Sequence, residues 1–327
     1  MTVRIAIIGA GYMGRVHAQN LRQDERVQIV AIGDIVPANA EKAAAEYQCE
    51  ACTSLDEIFA QKPDAVYVTT PNALHLEPVL AALERGIHVF SEKPMATDLG
   101  EARQILDTVE RTGLIYQIGF NRRFAPVYKF AKDRIAQGFA PLSANVKMNR
   151  GELLTPPWVG NTALTGGFLY ESTIHLLDMI RWLMGEVVEV YCRAEANVYK
   201  ELDDFSAILT FENGHYAVFS SCAHSSWAFP FERIELYGEH SSIVTEEMEK
   251  VTYSPGLNQQ IITHDCFQLS TAEKWGYVEE DKLFVDAVMG EGFPPVKALD
   301  GYRAVELAEA VYRSARSGKP VRLPLEA

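Results

Sequence analysis

The chain has 327 residues, 48% apolar and 23% charged, the proportions of an ordinary globular protein long enough for about two domains. Its net charge of −14 argues against nucleic acid or an anionic membrane as a partner, since both require a basic face. Residues 213–231 lack Asp, Glu, Lys and Arg, yet Asn213, several serines, two histidines and Pro230 keep them from reading as a membrane span. The opening apolar run of about six residues is too short for a signal-peptide core, so the chain is expected to be cytoplasmic.

In chain order, Val3 to Ile8 reads as a strand, followed by Gly9-Ala10-Gly11-Tyr12-Met13-Gly14 and a helical stretch. Val27 to Ile32 is a second strand, ending at Gly33-Asp34, and Asp34 lies twenty positions beyond Gly14. That context turns a common spacing into a mechanism. Gly9 permits the tight turn, Gly11 lets the backbone approach a pyrophosphate, and Gly14 allows close helix–strand packing. The helix N-terminus, with Tyr12 and Met13, offers free N–H groups to the phosphates. Asp34 accepts bonds from the ribose hydroxyls and repels a 2′-phosphate, and Ile35, Val36 and Pro37 bring no cation, so NAD is favoured over NADP.

Pro37 to Tyr47 carries an Ala-rich helical pattern, and Cys49-Glu50-Ala51-Cys52 follows. A structural zinc site would need two more ligands at close spacing, and none follow, so these read as ordinary cysteines in a short strand. The five cysteines suit a reducing compartment. Ser54-Leu55-Asp56-Glu57 predicts a capping box. Ala65 to Thr70 is a strand stopped by Pro71-Asn72, and a helix from about Ala73 runs to Gly86. Strand Ile87 to Phe90, helix Asp98 to Thr112 and strand Leu114 to Gly119 complete the pattern. Unbroken apolar strands between helices predict a parallel, doubly wound sheet of Rossmann type over residues 1–121.

Residues 122–327 change character. A helix at Pro126 to Gln137 precedes strands at Val187 to Tyr199, Phe205 to Phe211, Tyr216 to Ser221, Phe231 to Tyr237, Ser241 to Glu247 and Val251 to Tyr253. Asn213-Gly214 between alternating runs predicts a hairpin. Helices are expected at Gly167 to Met184, Glu273 to Met289 and Asp300 to Ser317. The pattern predicts an α+β domain with a large, mostly antiparallel open sheet and helices on one face. Ile208 and Val218 leave the other face apolar, so a homodimer or homotetramer through this sheet is expected.

Three further segments carry a resemblance: Thr70-Pro71-Asn72 with His75, Glu92-Lys93-Pro94, and Gly166-Gly167-Phe168-Leu169-Tyr170-Glu171-Ser172-Thr173-Ile174-His175-Leu176-Leu177-Asp178. With the glycine turn, the chain from Val3 to about Pro320 resembles the glucose–fructose oxidoreductase/inositol dehydrogenase/rhizopine catabolism family. The resemblance implies an NAD(P)-dependent oxidoreductase acting on a sugar, cyclitol or related polyol. It also implies that Lys93, Glu171 and His175 form the catalytic group and contact substrate, and that the bond before Pro94 is cis. The family's usual aspartate is replaced here by Glu171, whose extra methylene changes which hydroxyl the carboxylate meets.

In chemical terms, Lys93 supplies a cation and donors toward a developing alkoxide, and His175 is a base suited to neutral pH. Glu171, four residues before His175 on the predicted helix, either orients the imidazole or holds a neighbouring hydroxyl. Thr70, Asn72, His75, Glu92, Lys93 and Asn121 are cofactor candidates, although Asn72 and His75 suit caps of the following helix nearly as well. Arg122 (with Arg123), Asn149 (with Arg150), Trp158 to Asn161, His224 and Trp227 are substrate-side candidates. Two other readings stay open: a glycosidase that oxidises its substrate transiently, regenerating NAD each turnover, and a non-catalytic NAD-binding regulator.

Overall fold

The structure, a computed structural model, describes residues 2–153, 157–227 and 231–326. Contacts divide it into two units: Met1–Phe120 with Tyr277–Val305, and Asn121–Gly276 with Glu306–Ala327. The first contains β1 (Val3–Ile8), α1 (Tyr12–Leu21), β2 (Val27–Gly33), α2 (Pro37–Tyr47), β3 (Glu50–Cys52), α3 (Leu55–Ala60), β4 (Ala65–Val68), α4 (Leu76–Leu83), β5 (His88–Glu92), α5 (Leu99–Thr112) and β6 (Tyr116–Gly119). Its six strands are all parallel, in the order β3-β2-β1-β4-β5-β6. The doubly wound sheet is therefore present, with its topological switch between β1 and β4, where such sheets open a ligand crevice at the strands' C-terminal ends. All four residues of β4 are buried, as a strand covered on both faces requires.

Local chemistry sets the boundaries. Asp98 caps α5 by accepting from the Glu101 N–H at 3.1 Å, and Gly113, at φ 66°, closes it. Ser54 accepts from the Glu57 N–H, but the Glu57 carboxylate turns one residue earlier to the Thr53 N–H at 2.7 Å. The expected capping box is thus half formed. The helix expected from Ala73 begins instead as a 3₁₀ turn, Asn72–Leu74, before α4.

The second unit holds α6 (Pro126–Ala136), β7 (Ser143–Asn149), α7 (Thr162–Thr165), α8 (Ile174–Met184), β8 (Val187–Glu195), β9 (Asp204–Phe211), β10 (Tyr216–Cys222), β11 (Glu232–Gly238), β12 (Ser241–Glu246), β13 (Lys250–Ser254), β14 (Ile262–Asp265) and α9 (Thr271–Lys274). The single helix expected over Glu273 to Met289 is two helices, α9 and α10 (Tyr277–Val288), separated by Gly276 at φ +85°. A Cβ there would stand 2.3 Å from the Asn121 carbonyl oxygen, so only glycine fits. With α10 the chain returns to the first unit, and Phe284 packs edge-on against Tyr67 and Phe90 at 5.3 and 5.6 Å. A contiguous division at 121/122 does not include this return, because an apolar stripe does not say which sheet it covers. The contact division falls within α11 (Ala298–Ser317), after which β15 (Val321–Arg322) joins the second sheet.

Among the described residues that sheet has nine strands, β14-β13-β12-β11-β7-β10-β9-β8-β15, antiparallel except for the β7–β10 pair. Phe205, Ala207, Leu209 and Phe211 face inward, as their alternation predicts. On the opposite face Tyr191, Ile208 and Val218 are exposed and stand in register across β8, β9 and β10. Strand β7 is absent from the sequence reading, although its buried Ala144, Val146 and Met148 alternate with Asn145, Lys147 and Asn149 in the period of a half-buried strand. No helix among the described residues is long and apolar enough to cross a membrane.

Candidate active site

The turn between β1 and α1 is built by its glycines. Gly9 sits at φ +111°, and a Cβ on it would lie 2.7 Å from the Thr69 carbonyl oxygen. A Cβ on Gly14 would lie 2.0 Å from the Gly9 carbonyl oxygen, so α1 approaches the strand as closely as backbone allows. Around Gly11 the opposite holds, with nothing within 4 Å of its Cβ position. Gly11 is also the N-cap of α1 and supplies no side-chain cap, which leaves the helix N–H groups to a ligand. Tyr12 is exposed and Met13 half-buried beside that space. Asp34 receives the Ala10 N–H at 3.1 Å on one oxygen and the Val36 N–H at 2.9 Å on the other. It ties the turn to the end of β2 while remaining partly exposed. An open cradle at Gly11, an uncapped helix end and a carboxylate at the second strand fit an NAD dinucleotide.

Thr69 went unremarked in the sequence, yet its hydroxyl donates to the Gly9 carbonyl at 2.8 Å and locks the turn to β4. Thr70 donates to the Leu74 carbonyl at 3.1 Å, and Asn72 is buried. His75 lies buried between the carbonyls of Pro94 (2.7 Å) and Thr70 (2.9 Å), tying together the loops that follow β4 and β5. Burial holds its pKa below the ordinary histidine value, against the pull of the two carbonyls.

Lys93 follows β5, half-buried, and its bond to Pro94 is cis, as the resemblance implies. Its backbone N–H donates to Glu92 Oε2 at 3.0 Å. Glu92 is buried, with its other oxygen 3.1 Å from His17 Nε2, while His17 Nδ1 stands 2.7 Å from Asp281 Oδ1. Burial opposes charge on His17, but Asp281 and Glu92 on its two sides outweigh it and push the pKa up to about 10. Burial likewise works against the Glu92 carboxylate, and His17 with Lys93 holds it below the usual carboxylate range. Glu92, a cofactor candidate in the sequence, therefore spends its carboxylate on His17 and on the lysine's backbone.

In the second unit the Gly166-Gly167 pair has a steric cause. Gly166, at φ +79°, caps α7; Gly167, at φ +108°, meets Tyr312, whose hydroxyl would stand 2.6 Å from an added Cβ. The same hydroxyl accepts the Leu169 N–H at 3.2 Å. The chain then makes a π turn, Leu169–Thr173, before α8, with the Ile174 N–H bonded to the Leu169 carbonyl. Glu171 thus lies in the π turn and His175 in the first turn of α8, rather than both on one α-helix as expected. The wider i→i+5 turn is a device found at functional sites. His175 is buried; Glu171 is half-buried and lines a small cavity with Arg150, Phe168 and Tyr199.

Arg150 is buried, with its guanidinium 5.0 Å over the Phe168 ring and 5.6 Å over Trp227, bonded to Ser172 Oγ and to the Gly151 carbonyl at 3.0 Å. Burial lowers its pKa. Asn149 is half-buried and accepts from the Ser220 hydroxyl at 3.4 Å. Trp158 is half-buried in the 3₁₀ turn Pro157–Gly160, Asn161 caps α7 through the Ala163 N–H, and His224 is exposed. Trp227 is half exposed and donates to the Glu152 carbonyl at 3.2 Å. The arginines after β6 turn inward. Arg122 pairs with Glu232 at 3.0 Å and covers the Trp275 ring at 4.7 Å; Arg123 forms a two-point pair with Asp178 at 2.6 and 2.8 Å. Asn121 is buried and donates to the Trp275 carbonyl at 2.8 Å.

Among the described residues no group of three or more His, Cys, Asp or Glu is arranged to hold a metal ion. The five cysteines are free thiols, and burial pushes Cys49 up to about 11.

A 3-2-1-4-5-6 parallel sheet with this glycine turn defines a dinucleotide-binding domain of Rossmann type. Residues 3–120 match the pattern described as oxidoreductase family, NAD-binding Rossmann fold, and residues 132–323 match the family's C-terminal alpha/beta domain. The chain belongs to the glucose–fructose oxidoreductase/inositol dehydrogenase/rhizopine catabolism family of oxidoreductases. It is 30% identical to inositol 2-dehydrogenase of Rhizobium meliloti, over 99% of this chain and 100% of that protein. It is 28% identical to scyllo-inositol 2-dehydrogenase (NAD⁺) of Bacillus subtilis, over 99% and 97%. The crystal structure of scyllo-inositol dehydrogenase from Lactobacillus casei with NAD(H) and scyllo-inositol shares the fold, with a TM-score of 0.83 at 23% identity over 98% and 99% of the two chains. The chain is an NAD-dependent oxidoreductase.

Proposed function

We propose that this enzyme oxidises one CH–OH group of an inositol-like cyclitol, a sugar or a related polyol. The observation that carries the reading is the end-to-end match to an inositol 2-dehydrogenase, on a chain whose glycine turn and Asp34 fit the dinucleotide. NAD, when bound, supplies the hydride acceptor. Gly11 and the N–H groups of α1, beside Tyr12 and Met13, hold the pyrophosphate, and Asp34 accepts from the ribose hydroxyls. Thr70, Asn72, His75 and Asn121 are assigned to the nicotinamide side.

Lys93 directs its ammonium toward the oxygen that develops negative charge. His175 takes the hydroxyl proton, the task for which an imidazole is suited at neutral pH. Glu171 holds a neighbouring hydroxyl or orients that imidazole. Asn149 and Trp158 are assigned to the pocket wall. Arg122, its guanidinium committed to Glu232, serves by donating to Asn121 Oδ1 at 3.3 Å.

The reading is tested by incubating enzyme and NAD with inositols, aldoses, anhydrosugars and glycosides while following NADH absorbance. Stoichiometric NADH from at least one polyol is expected. Glycoside cleavage without net NADH, or no reaction with any of them, would contradict it.

The uncovered sheet face supports self-association as a homodimer or homotetramer, and the free cysteines support a reducing, cytoplasmic setting. Tyr191, Ile208 and Val218 form a lateral row that continues to Asn145 on β7 and Glu235 on β11. Light scattering is expected to give a dimer or tetramer for the wild type and a monomer for Ile208→Asp with Val218→Lys. A monomeric wild type at micromolar concentration would dismiss the interface.

A further inference from the structure

We propose that His17 is a positioning residue for Lys93: clamped as an imidazolium between Glu92 and Asp281, it fixes the carboxylate that holds the lysine's backbone N–H. His17 is fully buried, so it touches neither substrate nor cofactor. Its two ring nitrogens stand 2.7 Å from Asp281 Oδ1 and 3.1 Å from Glu92 Oε1. Ionised carboxylates only accept, so both nitrogens must carry hydrogen. The second oxygen of each acid is also engaged: Asp281 Oδ2 receives the Asn20 amide at 2.8 Å, and Glu92 Oε2 receives the Lys93 N–H at 3.0 Å.

The groups facing the ring come from three elements. Glu92 and Phe90 lie on β5, Asp281 and Tyr277 on α10 and Tyr67 on β4, while Asn20, on α1 like His17 itself, reaches Asp281. The three aromatic rings lie 4.9 to 6.2 Å from the imidazole and exclude water, which strengthens each charged contact. A second contact acts on the same loop from the same returning segment. Gly301 packs so closely on Met95, two residues past the lysine, that an added Cβ would meet it at 3.3 Å. The segment 277–305 thus buttresses the Lys93 loop at two points.

Without the imidazolium, Glu92 and Asp281 lose the cation between them, and the Asn20 amide and the Lys93 N–H are left as their donors. Glu92 then either takes a proton, leaving the Lys93 N–H a weaker neutral acceptor, or swings away and removes it. A displacement of about 1 Å at a catalytic group costs about 10²-fold in rate. The inference rests on the reading of Lys93 as a catalytic residue.

The test is a cycle of wild type, His17→Gln, Lys93→Ala and the double variant, each measured for kcat, KM, NAD affinity and thermal midpoint. His17→Gln is expected to lower kcat about 10- to 100-fold, with KM and NAD affinity changed by less than about threefold. Lys93→Ala is expected to lower kcat about 10²- to 10⁴-fold. In that background His17→Gln is expected to cost less than about twofold further in kcat, while lowering the thermal midpoint as much as it does alone. Hydrogen exchange of the apo protein adds a readout free of turnover: the Lys93 amide is expected to exchange at least about tenfold faster in His17→Gln, with β1 and β4 unchanged. Should the glutamine variant not fold, Asp281→Asn keeps the shape, weakens the clamp and is expected to give the same non-additive pattern. Losses that multiply, or a kcat kept in His17→Gln, would overturn the inference. If Lys93→Ala alone turns over like wild type, the lysine assignment fails first and this inference with it.

Discussion

Gly11 and Gly14, three residues apart, do opposite work at the level of the single side chain. Gly14 is glycine because backbone fills the place of its Cβ; Gly11 is glycine although that place is empty. The difference separates folding from binding. Gly14→Ala is expected to destabilise the protein by about 2–4 kcal/mol, since backbone must move. Gly11→Ala is expected to leave stability within about 0.5 kcal/mol while weakening NAD binding at least about tenfold. Denaturant midpoints and fluorescence titration check the pair, and equal NAD affinity in Gly11→Ala would contradict the cradle. The glycine spacing was legible because a turn is local. The partners of His17 were not: Asp281 lies 264 positions away, and no pattern along the chain joins them.

At the scale of elements, the His17 clamp ties α1, β5 and α10 together, and its charge makes that tie depend on pH. The folded pKa of about 10 lies above the ordinary 6.5, so the folded state binds the extra proton between those values. The contribution is therefore complete below about pH 6.5 and is lost as pH rises through about 10. Between pH 7 and 10 the stability gap between wild type and His17→Gln is expected to narrow, as read from urea midpoints. A gap that stays constant or widens would show that the ring is neutral. Element boundaries were less legible than element types. The periodicity around Glu171 and His175 announced a helix, but the extra residue of its π turn leaves no mark on an apolar stripe. The break at Gly276 was visible only as a glycine, since its cause, the Asn121 carbonyl, lies far off in sequence.

For the whole molecule, the sequence made the two sheets and their classes readable, because buried parallel strands and half-buried antiparallel ones have different periods. It left unread the return of residues 277–305 to the first unit, since the segment's destination is a tertiary fact. Substrate choice is the least legible property, since under the proposed reading it depends on where the residues lining the Glu171 cavity present polar atoms rather than on which residues they are.

The central claim is that a Rossmann-fold oxidoreductase uses Lys93 for chemistry and the glycine turn with Asp34 for NAD. The direct measurement is steady-state NADH formation from a reactive polyol by wild type and Lys93→Ala, together with NAD dissociation constants for both. The expected result is a loss of about 10²- to 10⁴-fold in turnover with NAD affinity unchanged within about threefold. Turnover retained in the alanine variant, or NAD binding lost together with activity, would contradict it.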